Sequence, residues 1–367
     1  MTKREKWMKY LAGEDVGPMA APLCDKWGAA EKYEWTGPGP EPFMPDEKQW
    51  SLCGQLMMAK AFGWDPLFLA AINFLPADGG AETIVTKTHK DNKIETVSVI
   101  RTPLGDLTQI DEDNGVTTRP LKDYLEDEAD FHKMLWYTEQ AMDFQREVAV
   151  AEGKRIRAAV GDLGVVGTWV SPSVSMTGIQ TLFYHLMDYR RAFATLRESR
   201  RILQQKQLEV YLEAGFDYLF YCVPGTDSIS PGFLREWMAD EIKETLTWWK
   251  SHGGFIVWHS CGHVKTFIEQ GFYNEMLPEV FETLSEPPVG NIPSLAWARE
   301  RLDPRIATKG NIPLNILLEG TPGDVREAVR HVKRETAGSR HIIGLSDNVL
   351  NGTPGENLRA YVEESYM

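Results

Sequence analysis

From about residue 155 the chain settles into a regular alternation of short apolar runs and longer amphipathic stretches that continues to its end. A strand buried on both faces of a parallel sheet reads as a continuous apolar run, and the helix that covers it carries one apolar stripe, so this alternation predicts parallel strands joined by covering helices. Strands are expected at 156–160, 218–222, 255–259, 281–285, 306–309 and 341–345, and helices at 182–214, 231–251, 293–302, 322–336 and 355–364. Two of the helices carry clear start signals, Ser230-Pro231 and Thr321-Pro322, each a side-chain cap followed by Pro at the first helical position. The pattern predicts an α/β fold of the (β/α)8 TIM-barrel type, with residues 151–367 as its main part. Residues 1–150 are expected to form an N-terminal α+β region that contributes to the barrel and its pocket. Within it, 95–100 and 106–110 flank Thr102-Pro103-Leu104-Gly105 as a hairpin, the acidic run 123–130 leads into helix, and the Pro- and Gly-rich 35–46 is an irregular loop.

A chain of 367 residues can bury a large core, which suits one elaborated barrel or two ordinary domains. The net charge of −14 is spread along the chain, and without a basic face neither nucleic acid nor an anionic membrane is an expected partner. No run approaches the roughly 18–20 apolar residues that span a bilayer, and the opening Met1-Thr2-Lys3-Arg4-Glu5-Lys6 leads into no apolar signal core. A cytoplasmic location is therefore expected, with Cys24, Cys53, Cys222 and Cys261 as thiols rather than a disulfide framework.

In a closed parallel barrel the chemistry gathers at the C-terminal ends of the strands. There this sequence places Cys222, then His259-Ser260-Cys261, then Glu286, then Asp347. Residues two apart in extended chain project to the same side, so His259 and Cys261 can offer one nitrogen and one thiolate to the same zinc ion. The third ligand is open between Glu286 and Asp347, since a catalytic zinc needs three protein ligands and an open position. Each residue also has a plainer reading, an inert buried thiol or a hydrogen-bonded imidazole, and the spacing alone leaves both readings open. The stretch from Gly161 to Gly167 has Gly-x-x-Gly-x-x-Gly spacing and no clear helix after it, so it reads as a barrel loop and not as a dinucleotide site.

Four segments carry a family resemblance: Ile229-Ser230-Pro231 with Phe233, Val257-Trp258-His259-Ser260-Cys261-Gly262, Lys309-Gly310-Asn311-Ile312, and Gly352-Thr353-Pro354 with Glu356-Asn357-Leu358. With the opening Thr2-Lys3-Arg4-Glu5 and Leu11-Ala12-Gly13-Glu14, they make the chain resemble the uroporphyrinogen decarboxylase superfamily, in its corrinoid-dependent methyltransferase branch. Residues 30–150 match only loosely. The decarboxylase itself clamps an acidic tetrapyrrole with an arginine-rich N-terminal motif, where this chain has Pro18-Met19-Ala20-Ala21-Pro22-Leu23-Cys24-Asp25. Its carboxylates would find no cationic partner there.

The methyltransferase branch binds zinc through His-x-Cys and a later Cys, with a Glu close by. The resemblance assigns the first, second and Glu positions to His259, Cys261 and Glu286, and puts Asp347 or its neighbour where the late Cys would be. An oxygen ligand in that place leaves zinc a harder Lewis acid, suited to an oxygen leaving group. The resemblance thus implies an O-demethylase component. Zinc at His259, Cys261, Glu286 and Asp347 would polarise a methoxylated aromatic, and the cob(I)alamin of a separate corrinoid protein would take the methyl group. The corrinoid-binding pattern Asp-x-His-x-x-Gly fails at Asp130-Phe131-His132, where Leu135 replaces Gly, so the cofactor is expected on a partner protein. Trp169, Tyr221 and Trp258 are the expected stacking residues, and each has core packing as its plainer role. Cys222 either lines the pocket beside Tyr221 or is a fourth ligand. A homodimer remains an option. The competing readings are methyl transfer from a methylcorrinoid to a thiol, a decarboxylase-like enzyme, and a non-catalytic ligand-binding barrel.

Overall fold

The computed structural model describes residues 1–24, 52–78, 80–114, 118–173, 179–223, 226–350 and 352–367; the loop expected at 35–46 lies outside the described residues. Eleven strands are present among them: β1 (Leu67–Leu69), β2 (Thr83–Lys90), β3 (Lys93–Ile100), β4 (Leu107–Asp113), β5 (Thr118–Lys122), β6 (Val165–Val170), β7 (Tyr218–Cys222), β8 (Phe255–Ser260), β9 (Val280–Thr283), β10 (Ala307–Ile312) and β11 (His341–Leu345). The chain divides into two compact units, one of Met1–Ala71, Gly153–Ser171 and Ala214–Met367, the other of Ile72–Glu152 and Pro172–Glu213.

The first unit holds a seven-stranded sheet in the order β1-β6-β7-β8-β9-β10-β11, parallel throughout. Beyond β11 the segment around Ala20 adds parallel bridges, Ala20 to Ile343 and Leu23 to Asn348. Its Ala20 carbonyl accepts the amide of Asp65, two residues ahead of β1. The N-terminal segment therefore takes an eighth strand position between β11 and β1, as a (β/α)8 barrel requires. Asp65 fixes this junction: it is fully buried and pairs with Lys3 at 2.9 Å and Lys6 at 2.8 Å, and it accepts from the Tyr366 hydroxyl at 2.8 Å.

The barrel interior follows from the period of two. Tyr218 and Phe220, Phe255 and Val257, Val280, Ala307, Ile342, Leu67 and Leu69, with Met19, Ala21 and Leu23, form one buried core. Gly167 faces this interior opposite Tyr218, whose backbone oxygen and ring would lie 2.5–2.6 Å from any Cβ there. Only glycine leaves the ring its place, from which the Tyr218 hydroxyl donates to the Phe68 carbonyl at 2.9 Å. The residues of opposite parity face the covering helices, among them Pro231–Trp237, Ala239–Ser251, Phe272–Met276 and Pro322–Glu335.

The second unit contains the antiparallel sheet β2-β3-β4-β5, with the expected hairpin as its centre, β3 pairing with β4. The acidic run also leads into a helix, Glu128–Ala141, capped by the Asp127 side chain. One expected strand is absent. Residues 156–160 close the helix Arg146–Val160, because Ile156 and Val160, both buried, stand four apart at helical spacing. The strand comes after Gly164, as β6, so the glycine-rich stretch leads into a strand instead of following one. The long helices expected at 182–214 and 231–251 are each two helices, Ile179–Asp188 with Arg190–Glu213 and Pro231–Trp237 with Ala239–Ser251. Among the described residues no helix is long and apolar enough to cross a membrane.

Candidate metal centre at the barrel mouth

The interior row nearest the strand ends is polar where the rows beneath it are apolar. In register across four strands stand Cys222, His259, Glu282 and Lys309. In the row below are Phe220, Val257, Val280 and Ala307, and Cys261 and Asp347 follow just beyond the ends of β8 and β11. His259 is 4% exposed and Glu282 1%, so both polar groups must find partners inside the protein.

They find each other. His259 Nδ1 lies 2.6 Å from Glu282 Oε1, and Lys309 Nζ donates to Glu282 Oε2. Burial would raise the Glu282 carboxyl, but the Lys309 charge and the His259 hydrogen bond outweigh it and hold the group down at about 2. Burial also opposes an imidazolium at His259. Its hydrogen bonds to Cys261 and Glu282, and their charges, nevertheless push it up to about 10.

With Nδ1 engaged by Glu282, Nε2 is the His259 nitrogen that could bind a metal together with Cys261. Ligand atoms of His259, Cys261 and Asp347 lie within 4.8 Å of one another. The Cys261 turn is tied down from outside: its carbonyl accepts from Thr226 Oγ1 at 2.9 Å, and the neighbouring His263 amide donates to Asp227 at 2.6 Å. Asp347 is braced by the Asn348 amide at 2.7 Å on Oδ1. One imidazole nitrogen, one thiol sulfur and one carboxylate, with a second carboxylate behind the imidazole, are a donor set that could hold a zinc ion with three protein ligands.

The strand end beside this site is strained. Thr283 and Leu284 hold φ of 79° and 51°, a region that costs a β-branched residue on the order of 1–3 kcal/mol. Local bonds fix the conformation: Thr283 Oγ1 donates to the Ser260 carbonyl at 2.6 Å, and the Leu284 carbonyl accepts from Asn311 at 2.9 Å.

The other sequence-derived candidates divide by parity. Trp169 is at the mouth, 42% exposed, with ring centroids 5.9 Å from His259 and 5.0 Å from Phe220. Cys222 is buried in the row of His259, and burial pushes its thiol well up. Tyr221 and Trp258, expected in the pocket, face the other way. They pack on each other at 5.4 Å, and Trp258 meets Tyr273 of the helix Phe272–Met276 at 5.7 Å, under the outer layer. Being one residue from Cys222 and His259 is what puts them there. Glu286, expected beside His259, falls in a different group with His331 and Glu335 and accepts from Asn311 at 3.3 Å. Glu282 takes the place next to the imidazole.

Glu282 was not singled out from the sequence, and Lys309 stood out only as part of the family-like segment Lys309-Gly310-Asn311-Ile312, with no role at the site. The signal was there, a charged residue of each sign in the middle of an otherwise buried strand, a position such residues occupy only when paired.

The uroporphyrinogen decarboxylase (URO-D) family model matches residues 154–366. Uroporphyrinogen decarboxylases of Prochlorococcus marinus (strain NATL2A) and Microcystis aeruginosa are 34% and 36% identical to it over 79 and 69 residues. These stretches are 20% and 19% of this chain, and the chain spans about a fifth of those relatives, 22% and 19% of their length. Among solved structures, a methyltransferase from Methanosarcina mazei superposes over 100% of this chain and 98% of its own, with a TM-score of 0.64 at 16% identity, a likeness of fold. The family model spans more than half of the sequence and takes in His259, Cys261 and Asp347 and the strands that carry them: the chain belongs to the uroporphyrinogen decarboxylase family.

Proposed function

We propose that the chain is a zinc-dependent methyltransferase, which removes the methyl group of a methoxylated aromatic and passes it to the cobalt(I) of a corrinoid held by a separate protein. The observation that carries this reading is the meeting of His259, Cys261 and Asp347 within 4.8 Å at the mouth of a parallel barrel. Three ligands leave a fourth position for a substrate, and a carboxylate in place of a second thiolate favours an oxygen donor over a sulfur one. The fold is shared with a protein described as a methyltransferase, which is consistent with this chemistry.

Zinc bound here would supply Lewis acidity at the ether oxygen of the substrate. The residues of the chain supply the rest. Glu282 holds the His259 ring by its Nδ1 proton and so presents Nε2 outward. Trp169, over the His259–Phe220 edge, offers an exposed indole face against which a substrate ring can stack. A corrinoid on the partner protein would accept the methyl group as the C–O bond breaks, and the released phenolate would take a proton from solvent. A decarboxylase reading is less well supported, because the strand position at 19–23 turns Met19, Ala21 and Leu23 into the barrel core and offers no arginine to an acidic tetrapyrrole. Glu286 is not assigned a ligand role.

The test is methyl transfer to cob(I)alamin from a panel of methoxyarenes, methanol, methylamines and betaine, followed by the absorbance of the methylated corrinoid. Activity with methoxyarenes supports the reading, and activity confined to the nitrogen donors rejects it.

A further inference from the structure

The antiparallel sheet of the second unit has two edges of different character. β5 is short and carries Pro120, and its pairing with β4 shifts register between Ile110 and Asp111, so that edge is blunted against a further strand. β2, at the other edge, has neither device. All its residues from Thr83 to Lys90 are exposed, Val85 at 56% and Ile84 at 37%, and Thr83, Ile84, Val85, Thr86 and Thr88 are β-branched. A two-residue turn, Asp91-Asn92, joins it to β3, with Asp91 at φ 55°. Such a turn makes Lys90 and Lys93 a hydrogen-bonded pair, and every second residue repeats the arrangement, so Ile84, Thr86 and Thr88 bond to β3. Thr83, Val85, Lys87 and His89 turn their amides and carbonyls outward, a row ready to receive another strand.

We propose that β2 is a self-pairing edge, which joins two copies of this chain into one continuous antiparallel sheet. In such a pairing an outward residue must stand opposite an outward residue, and this leaves few registers. With the two-fold axis at Thr86, residues 83–89 pair: Val85 meets Lys87, Thr83 meets His89, and Thr86 meets its own copy, a favourable Thr–Thr pair. Glu82, exposed just ahead of the strand, then stands opposite Lys90 of the second copy, and symmetry makes the contact twice. An axis at Lys87 would set two lysines against each other, and one at Val85 would pair only 83–87. Only the axis at Thr86 combines the longest overlap with charges of opposite sign, and this complementarity of the strand with itself is what selects a second copy as the occupant. Pairing also takes Ile84 and Val85 out of water.

The test is the mass of the full chain in solution, by sedimentation equilibrium over a concentration series. The wild type is expected to reach twice the mass of one chain. Glu82→Lys places a like charge opposite Lys90, and Lys90→Glu places one opposite Glu82. Each alone is expected to raise the dimer dissociation constant by about tenfold or more. An equimolar mixture of the two variants, in which every such contact is again of opposite sign, is expected to restore the dimer. Val85→Pro removes an outward amide that β3 does not use, and should leave the chain monomeric with its circular dichroism unchanged. A wild type that stays monomeric throughout the series overturns the proposal. So does a dimer that neither charge variant weakens, and so does a mixture no tighter than its components. If Val85→Pro does not fold, the charge variants, which change only exposed side chains, decide alone.

Discussion

Replacing Trp169 and Trp258 by alanine, one at a time, should separate function from stability, because adjacent layers of one barrel hold the two indoles. Trp258 is fully buried, packs on Tyr221, Phe272 and Tyr273, and donates its Nε1 proton to Ser260 at 2.9 Å. Loss of such a side chain costs about 3–5 kcal/mol. For a chain of this length, at about 2 °C per kcal/mol, that lowers the Tm by roughly 6–10 °C. Trp169 is 42% exposed, and its removal opens no cavity of that size. What it loses is a stacking partner for substrate, worth about 0.5–1.5 kcal/mol, or roughly a 2- to 12-fold fall in kcat/KM. Thermal melts and steady-state methyl transfer on the two variants measure both quantities. A Trp169→Ala protein that melts several degrees lower with unchanged kcat/KM would refute the assignment of the two faces, and so would a Trp258→Ala protein of undiminished stability with an altered KM.

Three further outcomes are expected. Asp65→Ala should destabilise the fold by about 3–5 kcal/mol, because it leaves the ammonium of Lys6 at the closure of the barrel without its buried partner, and urea unfolding measures the loss. His341 is half-buried between the Thr308 hydroxyl and the Gly310 carbonyl, and desolvation lowers it to about 3. The unfolded chain therefore binds the extra proton first, so stability is complete above about pH 6.5 and falls by up to about 1.4 kcal/mol per pH unit toward pH 3. His341→Gln should flatten that part of the stability–pH curve, and an unchanged slope would contradict the assignment. Glu286→Gln should keep the zinc of the wild type, since its carboxylate is not among the ligand atoms of His259, Cys261 and Asp347 that lie within 4.8 Å of one another; metal analysis after dialysis checks it.

The sequence was most legible where burial forces a pattern. The runs at 218–222, 255–259 and 341–345 are strands because a strand covered on both sides can carry little but apolar residues, and two of the three end at the site. His259 and Cys261 stood out through their spacing, and Asp347 through its place past a strand end. Parity was harder to read: in a strand buried on both faces Tyr221 and Cys222 look alike, and only the register with His259 shows that Cys222 shares its face. The segment 156–160 has the composition of a strand and the spacing of a helix, and the packing of Ile156 and Val160 settled it as helix. The eighth strand position at 19–23 carries too short an apolar run to announce itself, and its pairing comes from residues more than 300 positions away. Glu282 was hidden behind Glu286, four residues further on and nearer to the loops where ligands are usually sought.

The central claim is that His259, Cys261 and Asp347 together hold one metal ion. It is tested most directly by metal analysis of the purified wild type beside His259→Ala, Cys261→Ser and Asp347→Asn, with circular dichroism to verify the fold of each. One zinc per chain in the wild type, and its loss or a much weakened hold in all three variants with the fold intact, is the predicted result. A wild type without metal, or a His259→Ala protein that retains its zinc, would contradict it.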